Sequence, residues 1–525
     1  MLSAGFPWLT TLIAVPLAGA AVLWTLPASV RSRAREVALG VALLELALAI
    51  GAALAFDPGA AGTQQLSEVH SWIPALGVSY AVGVNGVGLL LVLLSVVLTP
   101  LVLLAAWKEH GGGGPVSGDR LRHYVALILV LETFMVAVFA ARDLFLFYVL
   151  FEAMLVPVYF LIGSFGGLQR RYAAVKFLIF SLVGGLVMLV AVIALYLQGP
   201  GGPQGFLTAN LTGLDLSVST ERLMFGAFFL AFAIKAPMWP LHTWLPDAAE
   251  TAPAGTSTLL VAVLDKVGPF GMLTLILPLF PNASRWAAPG VIVLAVISIL
   301  YGALLAIGQR DLMRMIAYTS VSHFGFIVLG IFAFTSVSVQ GSSLYMVNHG
   351  LSTGALFLLA GFLVARRGSQ QIADFGGLQK VAPVLAGTFL IAGLSALSLP
   401  GLSTFVSEFL VLIGTFARSK PAGIAAVLGV VLAALYVLLT YQRIFTGPVR
   451  TELARTADLS GREKWVIGPL IALLLVLGFY PAPALDLVRA PAISTLRLVG
   501  ITDVPTALTG AQSAPGTGAD EGSTK

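Results

Sequence analysis

Apolar runs long enough to cross a bilayer follow one another along almost the whole chain, which leaves little room for any fold but a bundle of membrane helices. They cover 4–27, 37–56, 83–107, 122–140, 144–163, 172–197, 222–241, 255–280, 286–307, 314–335, 339–365, 383–417, 421–445 and 465–482. A backbone in lipid must satisfy its own hydrogen bonds, so each run is expected as a helix. Charged residues make up 10% of the chain, against about 25% in a soluble domain. The expectation is an all-α polytopic membrane protein with about fourteen spans.

Several function classes drop out at once. The chain has no cysteine, so thiolate-held iron–sulfur clusters, disulfides and thiolate zinc sites are excluded. Neither a phosphate-binding P-loop nor a dinucleotide GxGxxG fingerprint is present. The net charge of +5 is unevenly distributed. Loops after odd-numbered spans carry eighteen Lys and Arg, and those after even-numbered spans carry five. That asymmetry is an orientation signal rather than a nucleic-acid footprint. It predicts cytoplasmic odd loops and both termini on the outer side. The first apolar run lacks the basic stretch of a signal peptide and is expected to remain as a helix.

Two spans are interrupted. One reads AIKAPMWPLHTWLP, with Pro237, Pro240 and Pro246; the other reads LSLPGLSTFVSEF, with Pro400 and Gly401. Proline removes a donor and breaks the preceding turn. Broken helices at matching places in two halves point to a transport site. The breaks fall in spans 7 and 12, five apart, so a five-helix unit repeated once would be inverted; two unrelated proline kinks are the plainer alternative. The expected organisation is 1–120 for spans 1–3, 121–280 for a first repeat (spans 4–8), 284–446 for a second (spans 9–13), 464–482 for span 14 and 483–525 for a C-terminal tail. The run Gly111–Gly114 is expected as a flexible connector, 198–220 as an outer-face loop, and the end after about residue 500 as disordered.

Four charges stand out among those inside these apolar runs: Glu152, Lys235, Lys266 and Glu408. A charge at the bilayer centre costs about 2.5–3.5 kcal/mol on insertion scales, and such residues mark ion or proton paths or pair with one another. Burial disfavours a charged amine and a nearby carboxylate favours it. Making and breaking a Glu152–Lys235 pair would therefore gate a proton, so the two are expected to approach to ion-pair distance or through one water in at least one state. A static pair gluing two helices is the alternative. Lys266 follows Asp265, but adjacent helical positions point apart, so the two are not automatically partners. His323 and His349 lie between the breaks and are either proton relays or hydrogen-bonded core residues. Glu408 follows the second break, as the counterpart of Lys235, and is expected to end the path in a hydrated cavity on the outer side.

Other residues are less decisive. Glu45 and Glu132 are intramembrane carboxylates, either functional or facing a partner. Asp143 beside Arg142 is expected as an interfacial pair. His242, in the first break, is an accessory candidate. Asp247 and Glu250, just beyond that break, either line a proton uptake route or are simply solvated. Gly350-Leu-Ser352-Thr-Gly354 fits a nucleophile-elbow pattern, yet it lies in an apolar run with no strand before it and no acid–base partner, so it is set aside.

The stretches PLHTWLPDAAETAPAGTSTLLVAVLDKVGPFG, YTSVSHFGF, NHGLSTGALFLLAGFL and LPGLSTFVSEFLVL resemble the antiporter-like membrane subunits of respiratory complex I, from about residue 120 to 445. These are similar in turn to subunits of multisubunit cation/proton antiporters. The resemblance implies a fourteen-helix core with inverted five-helix repeats and a proton path. In that path Glu152, Lys235, Lys266, His323, His349 and Glu408 take the roles of the paired Glu and Lys, the central Lys, the histidines and the charge on the broken twelfth helix. Glu at 408, where most members have Lys, together with the short chain end, points to one subunit type within the family. The subunit L type instead carries extra C-terminal helices, including a long lateral one. Departures are Ala248 where the family usually has His, Asp265 where it has another residue, and Thr404 and Ser407 where it has glycines.

The function thus implied is a proton-pumping subunit of NADH:quinone oxidoreductase, with no redox centre on this chain and with flavin and iron–sulfur clusters in other subunits. Its partners would be the neighbouring antiporter-like subunits, the lateral helix of subunit L, membrane lipids and protons, with no nucleic acid, in the bacterial plasma membrane. The alternative is a subunit of a cation/proton antiporter without a redox partner. A passive membrane scaffold is disfavoured by four intramembrane charges.

Overall fold

A computed structural model of the chain describes residues 5–108 and 118–501. The glycine run Gly111–Gly114 and the chain from 502 onward lie outside the described residues. The helices are α1 (Trp8–Thr25), α2 (Ala34–Ala55), α3 (Gly86–Ala105), α4 (Gly118–Ala140), α5 (Leu144–Phe165) and α6 (Arg170–Gln198). Broken helix α7 follows as Val218–Lys235 and Trp244–Thr251, then α8 (Ala254–Leu279), α9 (Pro281–Ile307), α10 (Leu312–Phe332) and α11 (Ser336–Arg367). Broken helix α12 consists of Pro383–Ala396 and Ser403–Arg418; α13 (Lys420–Phe445), α14 (Gly461–Phe479) and α15 (Ala482–Leu498) complete the order.

Among the described residues, 11 helices are long and apolar enough to cross a membrane, or 12 if the bent pair α14–α15, which meets at 68°, is one span. The fourteen expected from sequence included α7 and α12. The structure breaks each of these, and no half passes alone. The chain is also not purely helical. An antiparallel hairpin of β1 (Gln65–Ile73) and β2 (Val78–Val84) joins α2 to α3, with Val69 opposite Ala81. Its turn uses Gly77 at φ +70°, a conformation that costs other residues strain. The β-branched and aromatic residues flanking PALG carried the signal. A further difference is α15, a 17-residue helix at the start of the stretch expected as tail.

Burial sorts the helices into a centre and a rim. Every residue in the hydrophobic window of α10 is buried, as are most in those of α8 and α11. The windows of α1, α2, α6, α9 and α13 are mostly open, and α6 turns Val175, Ile179, Val183, Leu186 and Val190 outward. An apolar rim around a more polar centre is the pattern lipid imposes, since exposed apolar side chains cost nothing there. The centre is held by close backbone approach at small residues. A Cβ at Gly341 of α11 would meet Val411 N of α12 at 2.8 Å, and one at Gly325 of α10 would meet Ala295 O of α9 at 2.7 Å. These contacts lock the second half of α12 against α11 and α9 against α10.

One short sequence recurs at equivalent places. Arg142-Asp143-Leu144 starts α5 and Arg310-Asp311-Leu312 starts α10. In both, the aspartate caps the helix: Asp143 Oδ1 accepts from Phe145 N and Leu146 N (3.0 and 2.9 Å), and Asp311 Oδ1 from Arg314 N (2.9 Å). In both, the flanking backbone pairs with the connection that follows the next helix. Leu144 N donates to Phe206 O and Thr208 N to Arg142 O; Leu312 N donates to Gln370 O and Ile372 N to Arg310 O. Asp143 is therefore a cap that also accepts from Ser79 N (2.9 Å), rather than the ion-pair partner of Arg142 expected from sequence. Burial raises the Asp143 carboxyl above the usual carboxylate range and pushes that of Asp311 up to about 6, against the pull of the capping N–H groups. Asp143→Ala and Asp311→Ala are each expected to cost about 1 kcal/mol at the helix start, read as faster amide exchange in the first turn of α5 or α10.

Candidate functional site

α7 ends at Lys235 because Pro237 and Pro240 cannot continue the helix. The carbonyls freed there are partly recaptured: Trp244 Nε1 donates to Ile234 O at 2.9 Å. The Lys235 side chain is fully buried, and its Nζ has no hydrogen-bond partner. It lies over the rings of Phe151 and Phe177, 5.1 and 5.3 Å from their centroids, a cation–π arrangement. Glu152 projects from α5 toward Gly185 on α6, where any Cβ would overlap its carboxylate. It feels the charge of Lys235 without touching it. The Glu152–Lys235 pair expected from sequence is thus open in this conformation, with an aromatic ring of α5 in the place of the carboxylate.

α8 breaks at Val263 (φ −123°, ψ −60°) into a tight turn, Leu264–Lys266. The break frees the Val261 carbonyl, which accepts from Lys266 Nζ at 2.7 Å. The same ammonium donates to His349 Nδ1 on α11 at 2.7 Å and lies 4.9 Å from the Phe324 ring. His349 therefore presents an acceptor at Nδ1 and carries its proton at Nε2, which has no partner. The His323 ring of α10 stands 5.2 Å away, centroid to centroid.

From His323 the line continues. Its Nδ1 lies 2.7 Å from the Tyr345 hydroxyl, and that hydroxyl donates to Glu408 on α12. Tyr345 has one proton, so His323 donates at Nδ1 and accepts at Nε2, where the Tyr436 hydroxyl stands at 3.3 Å. Ser398, inside the break of α12, donates to Glu408 at 2.7 Å. Lys266, His349, His323, Tyr345 and Glu408 thus form one row through the buried centre with a single gap, between the two imidazoles. Glu408 is 4% exposed, so in this conformation it is buried rather than open to an outer-side cavity. Nor is it a positional copy of Lys235: Lys235 ends the half before its break, whereas Glu408 lies within the half after.

Sequence reading missed Tyr345, Tyr436 and Ser398. Tyr345 had a signal, since it precedes His349 by four residues and so shares its helix face. The remaining candidates do not join the row. Glu45 and Glu132 are both fully buried and interact with each other between α2 and α4, without a well-formed hydrogen bond. His242 packs against the rings of Tyr301 and Tyr318. Asp247 is held by Lys176 and Arg314, each at 2.6 Å, and Arg314 also reaches Glu250 at 2.8 Å. Asp265 is buried beside the row with both oxygens unpartnered. Among the described residues no group of three or more His, Asp or Glu converges as a metal site.

A many-helix membrane bundle with broken helices and a buried row of acid, amine, imidazole and phenol has the architecture of membrane proteins that carry protons or ions. The profile of the NADH:quinone oxidoreductase/Mrp antiporter transmembrane family matches residues 141–433, and the chain belongs to this family. A subunit M of NADH-quinone oxidoreductase from Mycobacterium tuberculosis is 49% identical, over 95% of this chain and 95% of its own. A chain of respiratory complex I from Thermus thermophilus with bound NADH superposes with a TM-score of 0.85 at 32% identity, over 94% of this chain and 100% of that one. A chain of the Mrp complex from a Dietzia species superposes at 0.82 with 22% identity, over 94% and 99%, a likeness of fold alone.

Proposed function

We infer that this chain is a subunit-M-type proton-translocating membrane subunit of NADH:quinone oxidoreductase, coupling redox chemistry in other subunits to proton transfer through Glu152, Lys235, Lys266, His349, His323, Tyr345 and Glu408. The observation that carries the reading is the row from Lys266 to Glu408. It offers groups that can each take up and pass on a proton, with hydrogen bonds on both sides of one gap. Flavin and iron–sulfur clusters are expected in the partner subunits; for thiolate-held clusters the reading is supported by the lack of cysteine in this chain. The antiporter alternative rests on the weaker likeness, 22% identity against 49%.

The duplicated Arg-Asp-Leu caps and the breaks of α7 and α12 support an inverted pair of five-helix repeats, α4–α8 and α9–α13. In that arrangement α7 and α12 count as spans, bringing the total to fourteen. The excess of Lys and Arg on odd-numbered loops supports cytoplasmic odd loops and outer-side termini in a bacterial plasma membrane. Neighbouring antiporter-like subunits and the lateral helix of subunit L are the expected partners.

Glu152 is the switch on this reading, because it acts on Lys235 with no ion-pair contact between them in this conformation. Glu152→Gln keeps the shape and removes the charge. The assembled complex in liposomes is expected to oxidise NADH while its proton-to-electron ratio falls, because transfer through this chain slows by about 10²–10⁴-fold. A normal ratio from an assembled Glu152→Gln complex would remove Glu152 from the path.

A further inference from the structure

Three buried polar atoms near the break of α8 have no hydrogen-bond partner: Lys235 Nζ and both carboxylate oxygens of Asp265. Leaving such a group unpaired in a buried place is costly, and more so when it is charged. The two residues belong to elements in direct backbone contact. A Cβ on Gly268 of α8 would meet Phe232 O and Ala236 N of α7 at 2.6 Å, and one on Gly271 would press on the Phe232 ring. Residues 232–236 are the turn that carries Lys235. Asp265 stands three residues before Gly268, in the tight turn that leads into this contact, so it lies one turn from the backbone that carries Lys235. Asp265 feels the charges of both Lys266 and Lys235. Lys266 has its donors directed elsewhere, to Val261 O and His349.

We propose that Asp265 is the proton bridge between Lys235 and Lys266, joining the Glu152 end of the path to the imidazole row. The inference rests on the path reading above and assigns the one step that the row leaves open on its Lys235 side. In the first half of the step the Lys235 ammonium gives a proton to the Asp265 carboxylate, leaving a neutral amine and a carboxylic acid. In the second half the acid gives that proton to a neutral Lys266, regenerating the carboxylate and forming an ammonium. Lys266 is neutral once it has passed its own proton to His349 Nδ1. Net charge is conserved at each stage, and no co-reactant is needed. A lysine cannot accept from another lysine while both are ammonium, so an acceptor between them removes the obstacle. The carboxylate must stay unpaired to serve both neighbours in turn, which accounts for its two free oxygens.

The test uses the whole complex in liposomes, scored for assembly, NADH oxidation and proton uptake. Asp265→Asn keeps the shape and cannot carry the proton; Asp265→Leu removes the unpaired polar group and is not expected to hinder folding. Both are expected to assemble and to lose this chain's share of the proton-to-electron ratio, because transfer through the bridge slows by about 10²–10⁴-fold, with Asp265→Glu restoring at least half of that share. A structural role for Asp265 would show as lost assembly in the Asn variant with normal pumping by the Leu variant, and would overturn the proposal. So would a normal ratio in whichever of the two assembles. Lys235→Met is run in parallel: if it abolishes pumping while the Asp265 variants pump normally, only the bridge falls. If Lys235→Met also pumps normally, the path reading falls with it.

Discussion

Replacing Lys266 by Met is expected to leave an assembled complex that oxidises NADH while proton transfer through this chain slows by about 10²–10⁴-fold. Lys266 links the break of α8 to the imidazoles, through Val261 O and His349 Nδ1. Methionine fills nearly the same volume and transfers no proton. The decisive companion is Lys266→Arg. Arginine keeps the charge and the donors, but its intrinsic pKa lies about 2–3 units above that of lysine, which makes deprotonation dearer by about 3–5 kcal/mol. Lifting one proton against 100 mV requires about 2.3 kcal/mol, so the extra cost exceeds the work of the step. Lys266→Arg is therefore expected to be as inactive in pumping as Lys266→Met. Normal pumping by the arginine variant would mean that a charge at this site suffices, and that protons do not pass through residue 266.

Glu408→Gln is expected to have a comparable effect for a different reason. The amide oxygen can still accept from Tyr345 and Ser398, so the packing of α12 against α11 should survive. What disappears is the ability to hold and release a proton at the end of the row. Assembly should be near normal, NADH oxidation should persist, and proton transfer through this chain should slow by about 10²–10⁴-fold. Because Glu408 is buried in this conformation, release also requires α12 to move at its break or against α11, which it meets closely at Gly341. A variant that pumps at the wild-type ratio would move the terminal site to another residue, and Tyr345 and Ser398, which both donate to Glu408, are the nearest groups.

Most of the site residues were legible without a structure because lipid penalises charge. Glu152, Lys235, Lys266 and Glu408 stood out against apolar runs, and Pro237, Pro240 and Pro400 marked the breaks beside them. What escaped notice was made of groups that lipid tolerates. A tyrosine or serine on a membrane helix raises no alarm, so Tyr345, Tyr436 and Ser398 looked like ordinary core residues until the helices were packed. The Arg-Asp-Leu duplication was present in the chain, but its meaning lay in backbone pairing with residues 206–208 and 370–372, which no linear pattern displays.

Local hydrophobicity and proline's missing donor sufficed to show that the chain is a membrane bundle, that α7 and α12 break, and which charges are buried, but not that α8 breaks at Val263. Helix packing alone sets which of those groups touch. It left Lys235 between aromatic rings rather than on Glu152, turned Lys266 onto a carbonyl that exists as an acceptor only because α8 is broken, and aligned Tyr345 between His323 and Glu408. Those outcomes depend on how closely two helix backbones approach at residues such as Gly185, Gly268 and Gly341. That distance is set by the packing of several helices at once, so no single segment contains it.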